Sequence, residues 1–507
     1  MISYSCENIC NNKRFSRISL VLIFFTILFF TLIGEKVPLN DGMGWDGMNY
    51  FRTVQSFTEL IANQGYDRYA IQRIMPWGLV NIVFKFFNIE TSSSNALFSA
   101  VIINVVALLL SIFYFFRISN LKKWKISTEI VAFASLFYSY AILKVTGYYV
   151  MLSDNVGFLW GMMLVYYFLS EKRLHLLVLS ILGIVNWPTV ALISGLVLYC
   201  LPRNEIKIQS SLKGVDAICY DVVLWGLTLL PILYQFISII TPPIHDFHFF
   251  QYDGRPKTNI VVFLISIVCV CAYWYYHLSP FKLSITNIIK DIRVKELFLK
   301  LLVCLLIYLV SNTLLYSLAN DGDNGMNMLT FFKKLLVSGT TNPFSYVESY
   351  FVYYGPIIIL IILLWRESVK YIVKKGMGYF CVIILSIFFF IFPEARVSIM
   401  FIPFMVLPII EYIDSLKLKK WVPYLYVIAC LILSHVWFPI NADGMESALF
   451  EDSYASLSKF PAQRIFMCSG IWQNDQMYMI FMAITCFIGI ILFMGIKNKW
   501  FINNSKL

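Results

Sequence analysis

Apolar runs of about 17–25 residues recur along the whole of this chain, and nothing else in it constrains the fold so tightly. Each run can cross roughly 30 Å of hydrocarbon as a helix, which satisfies its own backbone where no water is present. The expectation is an all-α polytopic membrane protein, one transmembrane domain over residues 1–507, with about twelve spans from 18–34 to 476–496. With 59% hydrophobic residues, 14% charged residues and a mean hydropathy of +0.73, a soluble protein is excluded. Ile18 to Ile33 lacks a small-residue cleavage site and reads as a retained first span. The 11 cysteines are scattered, so neither a disulfide framework nor a zinc site is expected.

The net charge of +11 could suggest a nucleic-acid partner, but its distribution argues otherwise. Basic clusters such as Lys13/Arg14/Arg17, Lys122/Lys123/Lys125, Lys370/Lys374/Lys375 and Lys417/Lys419/Lys420 fall on one side if both termini are cytoplasmic. That side then holds 27 Lys and Arg against 11 Asp and Glu, and the other side 13 against 18. The excess follows the positive-inside rule and orients the protein in its lipids; no nucleic-acid binding is implied. Four long extracytoplasmic regions follow, 35–73, 241–257, 319–349 and 439–475, so the outer face is where function is sought. The absence of an Asn-x-Ser/Thr sequon in these loops fits a bacterial inner (plasma) membrane.

One segment breaks the pattern. Leu174–Val185 and Pro188–Cys200 are each too short to cross alone, and Asn186-Trp187-Pro188 separates them. Both outer ends are basic. Residues 174–200 therefore read as a short re-entrant helical hairpin with a polar tip inside the membrane. The alternative is one long kinked span, which would invert every later loop.

Chemistry concentrates in the first loop, Asn40 to Trp77, where Asp41, Asp46, Asp67, Arg68 and Arg73 stand among Trp, Tyr and Gly. Asp41-Gly42 and Asp46-Gly47 are turn pairs that could present carboxylates, and Asp46 in GWDGMNY is the preferred catalytic acid. Trp45 and Tyr50 could anchor the loop at the interface or stack on a sugar ring. The bland reading is that the aspartates cap an interfacial helix at roughly 48–63. Arg68 and Arg73, just before Pro76-Trp77, could clamp a phosphate, pair with Asp67 or meet lipid headgroups.

Later in the chain, Phe392-Pro393-Glu394-Ala395-Arg396 puts two charges between closely spaced spans. Ionisable groups near hydrocarbon either pair or serve a function. Arg396 would hold a lipid-linked phosphate with Glu394 orienting it, or the two would bridge the turn. Asp154 in LSDN is expected to cap a helix, with Ser153 as the other cap; a second acid facing the same cavity is the alternative. His245-Asp246-Phe247-His248 and Asp321-Gly322-Asp323-Asn324-Gly325 read as a solvated loop and a turn, not as metal sites. No P-loop, GxGxxG, GxSxG or HExxH is present.

Taken together, the chain resembles the GT-C superfamily of integral-membrane glycosyltransferases. The matching features are the acidic first loop (Asp41, Asp46) ending in Arg73 and Pro76, the short helical pair around Asn186-Trp187-Pro188, and the late Glu394-x-Arg396 turn before Pro403. Many relatives carry a basic residue before the hairpin proline, where this chain has Asn186-Trp187. The resemblance implies inverting transfer from a polyprenyl-phosphate-linked sugar to a glycan or glycolipid acceptor, with Asp46 as general base and Arg396 or Arg73 on the leaving phosphate. It also allows a divalent cation between acid and phosphate, as in some relatives. Two other readings stay open: an O-antigen or capsule polymerase, and a lipid or glycan flippase, which would call for an inverted repeat.

Overall fold

The computed structural model describes residues 2–37, 40–44, 46–68, 70–187, 190–209, 211–240, 251–252, 255–256, 260–284, 294–320, 335–438 and 475–502. Trp45, Pro188, the His245–His248 run, the Asp321–Gly325 turn and the loop 439–475, apart from its last residue, lie outside these.

The helices in chain order are α1 (Ile2–Leu32), α2 (Asp46–Ala62), α3 (Met75–Phe87), α4 (Ser93–Lys122), α5 (Ile126–Phe137), α6 (Tyr140–Leu143), α7 (Val145–Tyr148), α8 (Asp154–Leu169), α9 (Arg173–Gly183) and α10 (Val190–Cys200). There follow α11 (Val215–Ile240), α12 (Ile260–Leu278), α13 (Val294–Ser317), α14 (Ser345–Tyr354), α15 (Ile357–Leu363), α16 (Trp365–Val373), α17 (Met377–Phe389), α18 (Ile402–Ser415), α19 (Val422–Leu433) and α20 (Asp475–Lys497). Two 3-10 turns, Ala70–Arg73 and Ala395–Phe401, and a two-residue strand pair, Gln251–Tyr252 with Arg255–Pro256, complete the described elements.

The chain is a helical, multi-pass membrane protein. Seven described helical segments are long and apolar enough to cross a membrane, and an eighth if the pair α5 with α6–α7, bent by 57°, counts as one span. The expected twelve are not reached because several apolar segments are short or broken: α8, α17 and α19 have 16, 13 and 12 residues. Gly355, at φ +77°, and Pro356 part α14 from α15. Of the short segments, α8 and α17 lie largely inside the bundle, whereas α19 turns Tyr424, Leu425, Ile428 and Ile432 outward. Burial sorts the long helices in the same way: 78% of the apolar window in 395–415 is buried, against 17–22% in α1, α11, α13 and α20. The latter present Leu22, Val222, Phe298 and Phe487 outward, as a lipid-facing shell does.

At the centre, α8 packs on α4, α18 and the 395–401 turn. Glycines set these distances. A Cβ at Gly161 would fall 2.2 Å from the Met400 carbonyl oxygen, and one at Gly157 would strike the Trp187 ring.

Several basic clusters meet at one end of the bundle. Glu411 bridges Lys122 (2.7 Å) and Lys375, while Glu129 binds Arg17 (2.8 Å) and Lys13 (3.3 Å). The Lys125 amide donates to Asp414 there (3.1 Å). Helices α9 and α10 fold back on one another, with Gly195 pressed against Ser180. Beyond α10 the chain joins the same end, where the Met377 amide donates to Pro202 O (2.9 Å) and Ile206 to Val373 O (3.0 Å). A disulfide, Cys200–Cys304, ties α10 to α13, a pairing across 104 residues that spacing does not reveal.

Candidate functional site

At the opposite end, the first loop closes over the bundle. Its helix α2 is amphipathic: Gly47, Tyr50, Phe51 and Val54 recur at helical spacing and are buried. Asp46 is the first residue of this helix, so the Asp46-Gly47 pair is not a free turn. Gly47 is needed for close approach, since a Cβ there would lie 2.8 Å from that of Met151. Gly44, at φ +69°, faces the Tyr149 ring with no room for a side chain.

Asp46 Oδ2 accepts from Arg396 Nη2 at 2.8 Å, and Arg396 Nε donates to Glu394 Oε1 at 2.7 Å. Arg396 thus serves the turn pair and the first loop at once, joining residues 350 apart. Helix α14 braces its turn from behind. The Tyr354 hydroxyl donates to Ala395 O (2.8 Å), and the Tyr350 hydroxyl donates to Ser398 Oγ.

Arg73 is 5% exposed, held at the end of the 3-10 turn Ala70–Arg73. Its guanidinium lies 5.4 Å from the Trp187 ring centroid and within 3.5 Å of the Tyr50 hydroxyl. Tyr50 stacks on Trp77 (5.3 Å, 16°) and reaches Ser153 at 3.4 Å. Burial pushes its phenol above the ordinary value, so the hydroxyl stays protonated and can donate. The hairpin tip completes this wall. The Met75 amide donates to Val185 O (2.9 Å), which brings Trp187 beneath Arg73.

Asp154 opens α8, but neither it nor Ser153 forms the expected cap: the Ser153 side chain makes no capping bond. Asp154 is 5% exposed, and its Oδ2 has no hydrogen-bond partner among the described residues. Its electrostatic neighbours are Arg396, Arg73, Asp46 and Glu394. Beside it, Asn155 donates to Asn104 (3.1 Å) and Thr146 (2.9 Å), which pins the start of α8.

Asp46, Asp154, Arg73, Glu394 and Arg396 therefore converge, with Tyr50 against them. Asp41 and Arg68 do not join them. Asp41 is exposed at φ +52° and lines a separate cavity beside Lys36, and Arg68 sits 5.2 Å from the Tyr316 ring of α13. Asp67 accepts from the Ala70 amide (2.6 Å) and starts the 3-10 turn. Trp77 and Trp187, which stand in the Pro76-Trp77 and Asn186-Trp187-Pro188 stretches, support the site, as do Tyr350 and Tyr354, which no sequence signal marked.

The residues do not fit a divalent cation in this arrangement. Among the described residues no three His, Cys, Asp or Glu side chains gather to hold one, and Asp46 and Glu394 both spend an oxygen on Arg396. What the cluster offers is two guanidiniums for an anion and carboxylates for a proton. No family model, curated protein or solved structure matches this chain.

Proposed function

We propose that the protein is a membrane glycosyltransferase acting on the extracytoplasmic face, moving a sugar from a polyprenyl-phosphate donor to a lipid-linked or surface glycan acceptor. The observation that carries this reading is the convergence of Arg73 and Arg396 with Asp46, Asp154 and Glu394 from four separate stretches of the chain. Charges this costly to bury beside apolar surface belong to a function more often than to packing.

The donor phosphate takes over Arg396 from Asp46 and lies toward Arg73. Asp46, released from its ion pair, accepts the proton of the acceptor hydroxyl as that oxygen attacks the anomeric carbon. The new C–O bond forms as the bond to phosphate breaks with inversion, and polyprenyl phosphate leaves with the electron pair, stabilised by the two guanidiniums. Asp154, buried among these charges, keeps both arginines in place while Asp46 changes partners. Tyr50 and the buried tryptophans supply aromatic surface of the kind that stacks on sugar rings. The basic end then faces the cytoplasm.

The test is release of free polyprenyl phosphate by protein in nanodiscs, given a panel of polyprenyl-phosphate sugars and acceptor glycolipids. Release by the wild type and its loss in Asp46→Asn is the expected result. Undiminished release by the variant removes Asp46 from the role of base, and no release from any donor removes the reading.

A further inference from the structure

The cavity that takes Asp41 away from the charged cluster has a layout of its own. It measures about 410 Å³ and is lined by Lys36, Val37, Asp41, Gly42, Leu97 and Phe98, with Val101 and Val150 closing it. Lys36 lies four residues beyond the end of α1, and Leu97, Phe98 and Val101 lie in the first turns of α4, a membrane-length helix starting at Ser93. At 1.5 Å per residue the apolar wall descends about 6–12 Å along α4 from its first residue. Charged groups thus stand at the mouth and apolar ones below, with Phe98 66% exposed on the lipid-facing side.

The charges at the mouth are mixed. Lys36 Nζ donates to Leu32 O and to Gly147 O (2.6 Å), which leaves one of its three N–H bonds uncommitted. Lys144, 8% exposed, is close enough to repel it, and burial together with that repulsion holds Lys36 down at about 8. Glu35 offsets part of the charge on Lys144, and an anion at Lys36 offsets the rest. Asp41 supplies the opposite charge on the same rim, and no hydrogen bond engages its carboxylate among the described residues.

We propose that this cavity binds the phosphoethanolamine head group of a membrane lipid, phosphate toward Lys36 and ammonium toward Asp41, with an acyl chain along Leu97, Phe98 and Val101. A head group carrying both charges matches a rim that carries both. A purely anionic one meets Asp41 unfavourably, and a choline head group has no N–H to donate to it. The site is separate from the Asp46–Arg396 cluster and stands whether or not the transfer reading does.

The test is competitive lipid retention by the purified full-length protein, read by native mass spectrometry after exchange into equal phosphatidylethanolamine, phosphatidylglycerol and phosphatidylcholine. Wild type is expected to retain phosphatidylethanolamine at least threefold over either competitor. Asp41→Asn, at an exposed left-handed position that asparagine adopts readily, is expected to erase the preference over phosphatidylcholine. Lys36→Met is expected to lower retention of all three, with Asp41→Asn deciding the matter if Lys36→Met does not fold. Equal retention of the three lipids by wild type, or a preference unchanged in Asp41→Asn, overturns the proposal.

Discussion

Arg396→Gln removes the cation on which two carboxylates converge, and its cost can be set against that of removing one of them. A charge pair at about 3 Å with an effective dielectric of about 20 has a gross attraction of about 5–6 kcal/mol. Asp46 and Arg396 keep 25% and 14% of their side-chain surface exposed, so the net value lies between the 0–1 kcal/mol of surface pairs and the 3–5 kcal/mol of broken buried pairs. Asp46→Asn leaves Arg396 bonded to Glu394 and should cost about 1 kcal/mol. Arg396→Gln takes from Asp46, Glu394 and Asp154 a guanidinium they share and should cost about 3–4 kcal/mol. Adding Asp46→Asn to Arg396→Gln removes one stranded carboxylate, so the double variant should regain about 1–2 kcal/mol over Arg396→Gln. Unfolding in mixed micelles by SDS titration, followed by tryptophan fluorescence, measures all four proteins in one cycle. A double variant less stable than Arg396→Gln, or an Asp46→Asn variant costing as much as Arg396→Gln, refutes the account of Arg396 as the cation that neutralises the cluster.

Three further outcomes are expected. Gly161→Ala should destabilise by about 1–3 kcal/mol, because its Cβ meets the rigid Met400 carbonyl, and a thermal melt matching wild type contradicts that contact. Tyr354→Phe removes the hydroxyl that holds Ala395 O; it should cost about 1 kcal/mol and lower kcat of the proposed sugar transfer with KM for the donor little changed, whereas a change confined to KM speaks against a role in placing Arg396. Lys36 is held at about 8 in the folded protein against an ordinary 10.5, so the unfolded chain binds more protons between those values and stability rises with pH across that window. Lys36→Met should flatten that rise, and a stability–pH curve identical to wild type between 8 and 10.5 rules it out.

What could be read from the chain follows from where local signals are strong. Apolar length marked the helical membrane class, and the Asp-Gly, Arg-Pro and Glu-x-Arg stretches marked Asp46, Arg73, Glu394 and Arg396 because charge is rare and costly in such surroundings. Asp154 was harder: LSDN is an ordinary capping sequence, and only the fold brings its buried carboxylate within electrostatic reach of Arg396 and Arg73. Asp41 shares a motif with Asp46, yet a left-handed backbone five residues earlier turns it to another cavity. The count of spans exceeds the membrane-length helices among the described residues because hydropathy registers apolar length alone. It does not tell a lipid-facing span such as α13 from the broken, enclosed pair α14–α15.

By itself the sequence determined that the chain must bury its backbone in helices within a membrane, because roughly 30 Å of hydrocarbon offers no other partner for amides. It also determined which few residues were too costly to be there by chance. Tertiary structure alone decided which of those meet. The Asp46–Arg396 contact spans 350 residues and the Arg73–Trp187 contact spans more than a hundred. No periodicity or motif reaches so far along a chain; such contacts arise only when packed helices, spaced by glycines such as Gly157 and Gly161, bring distant turns together at one end of the bundle.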